Sequence, residues 1–116
     1  MAKILVHVAT GPENPTRAAL GLLVARTAVE GEHDVQVFLA GDAVQLAREE
    51  TASGAQGIGT GSVAEHLAAL QAAGVTVFLS GMSSKARGVE AGPGFELAPP
   101  QKLVELAVWS DTTLTY

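Results

Sequence analysis

The segment "VTVFLSGMSSKARG", residues 75–88, gathers the side chains of this sequence best suited to chemistry. An apolar run, Val75 to Ser80, stops at Gly81, and Ser83, Ser84, Lys85 and Arg87 follow. Ser84 reads as the N-cap of a short helix carrying Lys85 and Arg87 in its first turn. A helix N-terminus has unpaired N–H groups and a partial positive charge, so two adjacent cations there would suit a small anion. The plainer reading is that the serines only cap and that Lys85 and Arg87 are solvated or paired with Glu90. No Gly-x-Ser-x-Gly elbow surrounds these serines, so they do not read as hydrolase nucleophiles.

Two further loops offer polar groups. In "ATGPENPTR", Thr10, Gly11 and Asn14 precede a second helix start, and Arg17 adds charge. A tight turn plus an N-cap would equally explain it. In "AGD", Gly41 ends a strand and Asp42 reads as a plain cap. The three histidines form no constellation. His7 lies in a strand-like run, His33 in a turn, and His66 beside Glu65 on a helix, where neighbours do not face each other. With no cysteine and no His-x-x-x-His, neither a metal site nor a cofactor is expected, and disulfide and thiol chemistry are excluded. "GIGTG", Gly57–Gly61, lacks the context and spacing of a nucleotide-binding loop and reads as a mobile loop or a lid.

These loops hang on an alternating pattern. "KILVHVAT" (3–10), "DVQVFLAG" (34–41) and Val75–Ser80 are continuous apolar runs, as expected of strands buried on both faces. Between them come a helix capped by Asn14 with Pro15 at its first position and Gly31 at its end, a helix "AVQLAREE" capped by Asp42, and a helix "VAEHLAALQAAG" capped by Ser62. A brief strand at Phe95–Leu97, a helix from Pro99-Pro100 to about Val108 and a last strand in "DTTLTY" complete the chain. Trp109 reads as core or interface packing. Alternating strands and helices predict one α/β domain over residues 1–116: a three-layer α/β/α sandwich with a mostly parallel five-stranded sheet. Ligands of open parallel sheets bind beyond the carboxyl ends of the strands, so the loops at Thr10–Gly11, Gly41–Asp42 and Ser80–Ser83 should converge.

Composition sets the outer limits. The 116 residues are 47% hydrophobic and 16% charged, enough for a sizeable aliphatic core. A formal charge of −5 argues against nucleic acid. No apolar stretch approaches a membrane span and no signal peptide is evident, so a cytoplasmic protein is expected.

Three stretches together resemble the DsrE/DsrF-like family of small sulfur-relay proteins: "HVATGPENPTRAALGLLVA", "DVQVFLAGDAVQLA" and "GVTVFLSGMSSKARGV". The resemblance covers nearly the whole chain and implies the DsrEFH-like, flavodoxin-like fold and a habit of assembling into homo-oligomers. Catalytic members carry a cysteine just after the third strand. By that match Ser80 stands at the cysteine position, and Ser83 matches a second cysteine of some members. A serine hydroxyl cannot hold a sulfane sulfur as a thiolate does. The expectation is a non-catalytic binding or assembly protein with a small-anion or partner site at the strand ends. The alternative is an enzyme or sulfur-relay accessory subunit using Ser80, Ser83 and Lys85 or a cysteine-bearing partner.

Overall fold

The run Lys3–Val8 becomes strand β1 with Val6 and Val8 facing one side and Leu5 the other, all fully buried, which is why its apolar pattern does not alternate. A computed structural model describes residues 1–116. After β1 come helix α1 (Pro15–Glu30), strand β2 (Asp34–Leu39), a 3-10 helix (Gly41–Ala47) and helix α2 (Glu49–Gly54). A hairpin of two short strands follows, β3 (Gln56–Gly57) and β4 (Gly61–Ser62), and then helix α3 (Val63–Ala72). Strand β5 (Val77–Ser80), helix α4 (Gly81–Arg87), strand β6 (Phe95–Ala98), helix α5 (Pro100–Trp109) and strand β7 (Thr112–Thr115) complete the fold.

The main sheet has five strands in the order β6-β5-β2-β1-β7, and every pairing is parallel. The expected α/β architecture is present. The chain runs outward from β1 through β2 and β5 to β6, then returns to place β7 on the other side of β1.

The two faces are covered unequally. On one, Ala18, Leu22 and Ala25 of α1 and Val63, Leu67 and Leu70 of α3 join a core of 20 buried residues. On the other, α5 alone lays Leu106 over Leu5, Phe38, Phe78 and Ala98, a cluster of 5. The thin face therefore has little helix to shield it, and Val104 and Val108 on α5 remain 63% and 82% exposed. No helix of the protein is long and apolar enough to cross a membrane.

Two local expectations are corrected. "AVQLAREE" is not one helix opened by Asp42. It is a 3-10 turn and a short α-helix separated by Arg48 in extended backbone, and no side chain caps the turn. Gly57–Gly61 is not a mobile loop but part of the β3–β4 hairpin, pinned to α1. The Ile58 N–H donates to Thr16 Oγ1 at 3.0 Å and Thr60 Oγ1 donates to the Thr16 carbonyl at 2.9 Å. Gly59 and Gly61 supply the positive φ angles, 77° and 83°, that the reversal needs.

Candidate functional site at the strand ends

The three loops do converge. Gly11 is buried so closely against the second loop that a Cβ there would lie 2.1 Å from the Asp42 carbonyl oxygen. The second loop is tied to the third by the Gly41 N–H, which donates to Ser83 Oγ at 2.9 Å. Gly41 has φ +56°, a left-handed turn that turns the chain back beneath α4.

The geometry of α4 differs from the expectation. Its N-cap is Ser80, not Ser84: Ser80 Oγ accepts from the Ser83 N–H at 3.2 Å. The helix begins one turn earlier, so Ser84 lies within it and is 1% exposed, its hydroxyl without a partner. The consequence falls on the cations. Lys85 and Arg87 occupy the last turn, next to the left-handed Gly88 that ends the helix. There they complement the negative end of the helix dipole and do not reinforce its positive end. Lys85 is exposed and forms no ion pair. Arg87 reaches Asp42, not Glu90, with Nη2 and Nε donating to Asp42 Oδ1 at 3.0 and 3.3 Å. Arg87 Nη1 also donates to the Ser83 carbonyl at 3.2 Å, and Arg48 Nη2 donates to the Arg87 carbonyl at 2.6 Å. Asp42 is thus an ion-pair partner and not a cap.

The first loop matches expectation more closely. Asn14 caps α1, its Oδ1 accepting from the Arg17 N–H at 3.1 Å, with Pro15 at the start. The Gly11 N–H donates to Glu13 Oε1 at 2.9 Å. Thr10 is half-buried, and Arg17 is exposed with no ion pair. Gly81 follows Ser80 directly and sits in the first turn of α4. The crevice where strand order reverses lies between β1 and β7. Tyr116 packs into it against Gly21, and the Ala9 N–H donates to the Tyr116 carbonyl.

None of the histidines joins the serines. His7 shares a sheet face with Ser80 but stands two strands away and two residues back along the strand, about 12 Å at ordinary strand geometry. Its Nε2 is buried without a partner, its ring meets Phe38 edge-on at 6.4 Å, and burial pushes its pKa below the usual value of 6.5. His66 is buried between Thr60 and Arg26. Its Nε2 donates to the Thr60 carbonyl at 2.7 Å, which leaves Nδ1 to accept from Arg26 Nη1 at 3.5 Å. His33 Nδ1 accepts from the Ala2 N–H at 3.0 Å.

Sequence reading missed the Gly11–Asp42 contact and the Arg87–Asp42 pair. Both join residues some 30 to 45 positions apart, and no local spacing announces them.

The arrangement is a small parallel α/β domain with a serine at the junction of β5 and α4. The model of the DsrE/DsrF-like family matches residues 2–116, so the chain belongs to that family. Its fold is similar to that of the ychN protein from E. coli, with 26% identity over all of both chains and a TM-score of 0.82. A conserved protein of unknown function from Bacteroides thetaiotaomicron, BT1422, shares the fold at 15% identity and a TM-score of 0.67, over 99% of this chain and 95% of that one. No curated protein matches the chain.

Proposed function

We propose that this protein is a non-catalytic member of its family, a binding or assembly subunit that presents the strand-end edge to a partner. The observation carrying this reading is the use made of Ser80. At the family's cysteine position stands a hydroxyl that accepts from the Ser83 N–H and caps α4. Ser83, at the second position, is likewise committed to Gly41. A serine without a neighbouring base stays a neutral alcohol near neutral pH and neither attacks nor stores sulfur.

A partner is favoured over a free anion because the cations lie at the wrong end of α4 and Arg87 is already paired. Beside Ser80 the edge is apolar. Met82 is 69% and Leu97 49% exposed, and with Pro99 and Pro100 they line a shallow recess. Assembly into a homo-oligomer is part of the proposal. Val104 and Val108 lie one turn apart on α5, above the thinly covered sheet face, and contact between copies would remove them from water.

The test begins with a persulfide donor and intact mass. The wild-type chain is expected to gain no sulfur, and Ser80→Cys to gain one. Covalent, stoichiometric gain by the wild type overturns the non-catalytic reading. Sedimentation equilibrium checks assembly, and a single 11.8 kDa species at working concentration rejects it. Titration with sulfate, thiosulfate and phosphate separates the anion reading. Saturable amide shifts at residues 10–17 and 80–88 would replace the partner site with an anion site.

A further inference from the structure

A recess of about 520 Å³ is lined by none of the strand-end residues named above. It lies between α2, α3 and the segment leading into β6, and its volume falls within the range of small-molecule sites. Leu46, Ala52, Ala64, Leu67 and Phe95 give it an apolar lining, and the alanines leave it open where larger side chains would close it. Glu49 is the only charged residue on its wall.

One polar group in this wall is anomalous. Gln71 lines the recess, yet its amide nitrogen is shut off from solvent and has no hydrogen-bond partner. Gly94 lies directly on it: a Cβ at Gly94 would fall 2.5 Å from Nε2. Buried donors in folded proteins are nearly always paired, because an unpaired one forfeits its hydration. A rotation of the Gln71 side chain out from under Gly94 would carry the donor into the recess that the residue lines. An acceptor held there would supply the missing bond. The acidic wall and the lack of any lysine or arginine on it select against an anionic acceptor.

We propose that this recess binds a small neutral organic molecule with a carbonyl-type acceptor on an apolar body. The acceptor takes the Gln71 amide N–H, and the body lies against Ala52, Ala64, Leu67 and Phe95. The experiment titrates full-length, isotopically labelled protein with cyclohexanone and, separately, with cyclohexanecarboxylate, following amide shifts. Cyclohexanone is expected to shift the Gln71 side-chain NH2 and the backbone amides of Ala52, Ala64 and Phe95 saturably, with the carboxylate at least tenfold weaker. Gln71→Met should weaken cyclohexanone about three- to tenfold, the loss expected for one neutral hydrogen bond. Ala68→Phe places a ring at an exposed position on the wall and should abolish the shifts while leaving thermal unfolding unchanged. Absence of saturable shifts up to the solubility limit overturns the proposal. So does equal binding of the carboxylate, or undiminished affinity in Gln71→Met.

Discussion

The strand-end loops and the α2–α3 recess treat their polar groups in opposite ways. At the strand ends, Ser80, Ser83, Asp42 and Arg87 bond to one another and to the backbone that joins three loops, and the Ser84 hydroxyl, sealed inside α4 with no cavity beside it, is the exception. In the recess, the Gln71 amide nitrogen is buried and spent on nothing. The first region holds the loops that the sequence singles out and is held together by its own hydrogen bonds. The second carries no motif and has a donor without an acceptor. Residue types and spacing single out the first region, whereas an orphaned polar group beside an open recess marks where the second lacks a partner. The comparison can be broken by mutation, because the same kind of change should have opposite effects in the two places.

The largest effect is expected at Gly11. Gly11→Ala drives a Cβ into the Asp42 carbonyl, a backbone atom that cannot rotate away. The loops must part, and a destabilisation of about 2–4 kcal/mol should appear as a lower denaturant midpoint. A variant as stable as the parent would mean that the loops are not locked together.

Ser83→Ala comes next. It leaves the Gly41 N–H without its acceptor and should cost about 1–2 kcal/mol in the same measurement. An unchanged midpoint would show that water replaces the hydroxyl and that the strand ends are looser than their hydrogen bonds suggest.

His7 offers a smaller, pH-dependent test of another unpaired group. Its folded-state pKa lies below the unfolded value of 6.5, so the unfolded chain binds the proton more readily. The contribution is fully present above about pH 6.5 and is lost as pH falls from there towards the lowered folded value. The slope should stay well under the limit of about 1.4 kcal/mol per pH unit, because the half-buried ring is screened by solvent. His7→Gln should flatten thermal stability between about pH 6.5 and 5 relative to the parent. An identical profile would assign the slope to other groups.

The smallest effect belongs to the recess. Gln71→Met removes an unpaired donor and fills similar space, so stability should be unchanged or rise by up to about 1 kcal/mol. A clear loss of stability would reveal a partner for the amide and erase the contrast with Ser83.

Much of this contrast rests on particulars that differ in how far they could be read from sequence. The apolar runs at 3–10 and 34–41 became β1 and β2, and Asn14 and Ser62 cap their helices as their spacing predicts, Ser62 Oγ accepting from the Glu65 N–H. Those features depend on residues within one turn of each other. The choice between Ser80 and Ser84 as the cap of α4 did not. Both are serines before a possible helix, and the sequence offers each a residue three positions on whose N–H a cap would take. Packing decided it, by burying the face of α4 that carries Ser84 and tying Ser83 to Gly41. The position of the cations followed from that one-turn shift, and with it the weakening of the anion reading.

By itself, the sequence determined the order of elements, the parallel α/β class, the convergence of three loops at the strand ends and the absence of thiol chemistry. These follow from periodicity, short-range capping and residue type, which act along the chain. Only the tertiary structure decided that Arg87 answers Asp42, that Gly11 must lack a side chain, that one sheet face is thinly covered, and that Gln71 is sealed beneath Gly94. Each depends on atoms brought together from distant parts of the chain. The hydrophobic effect that gathers them is non-directional, so it sets which residues are buried without setting which polar group meets which.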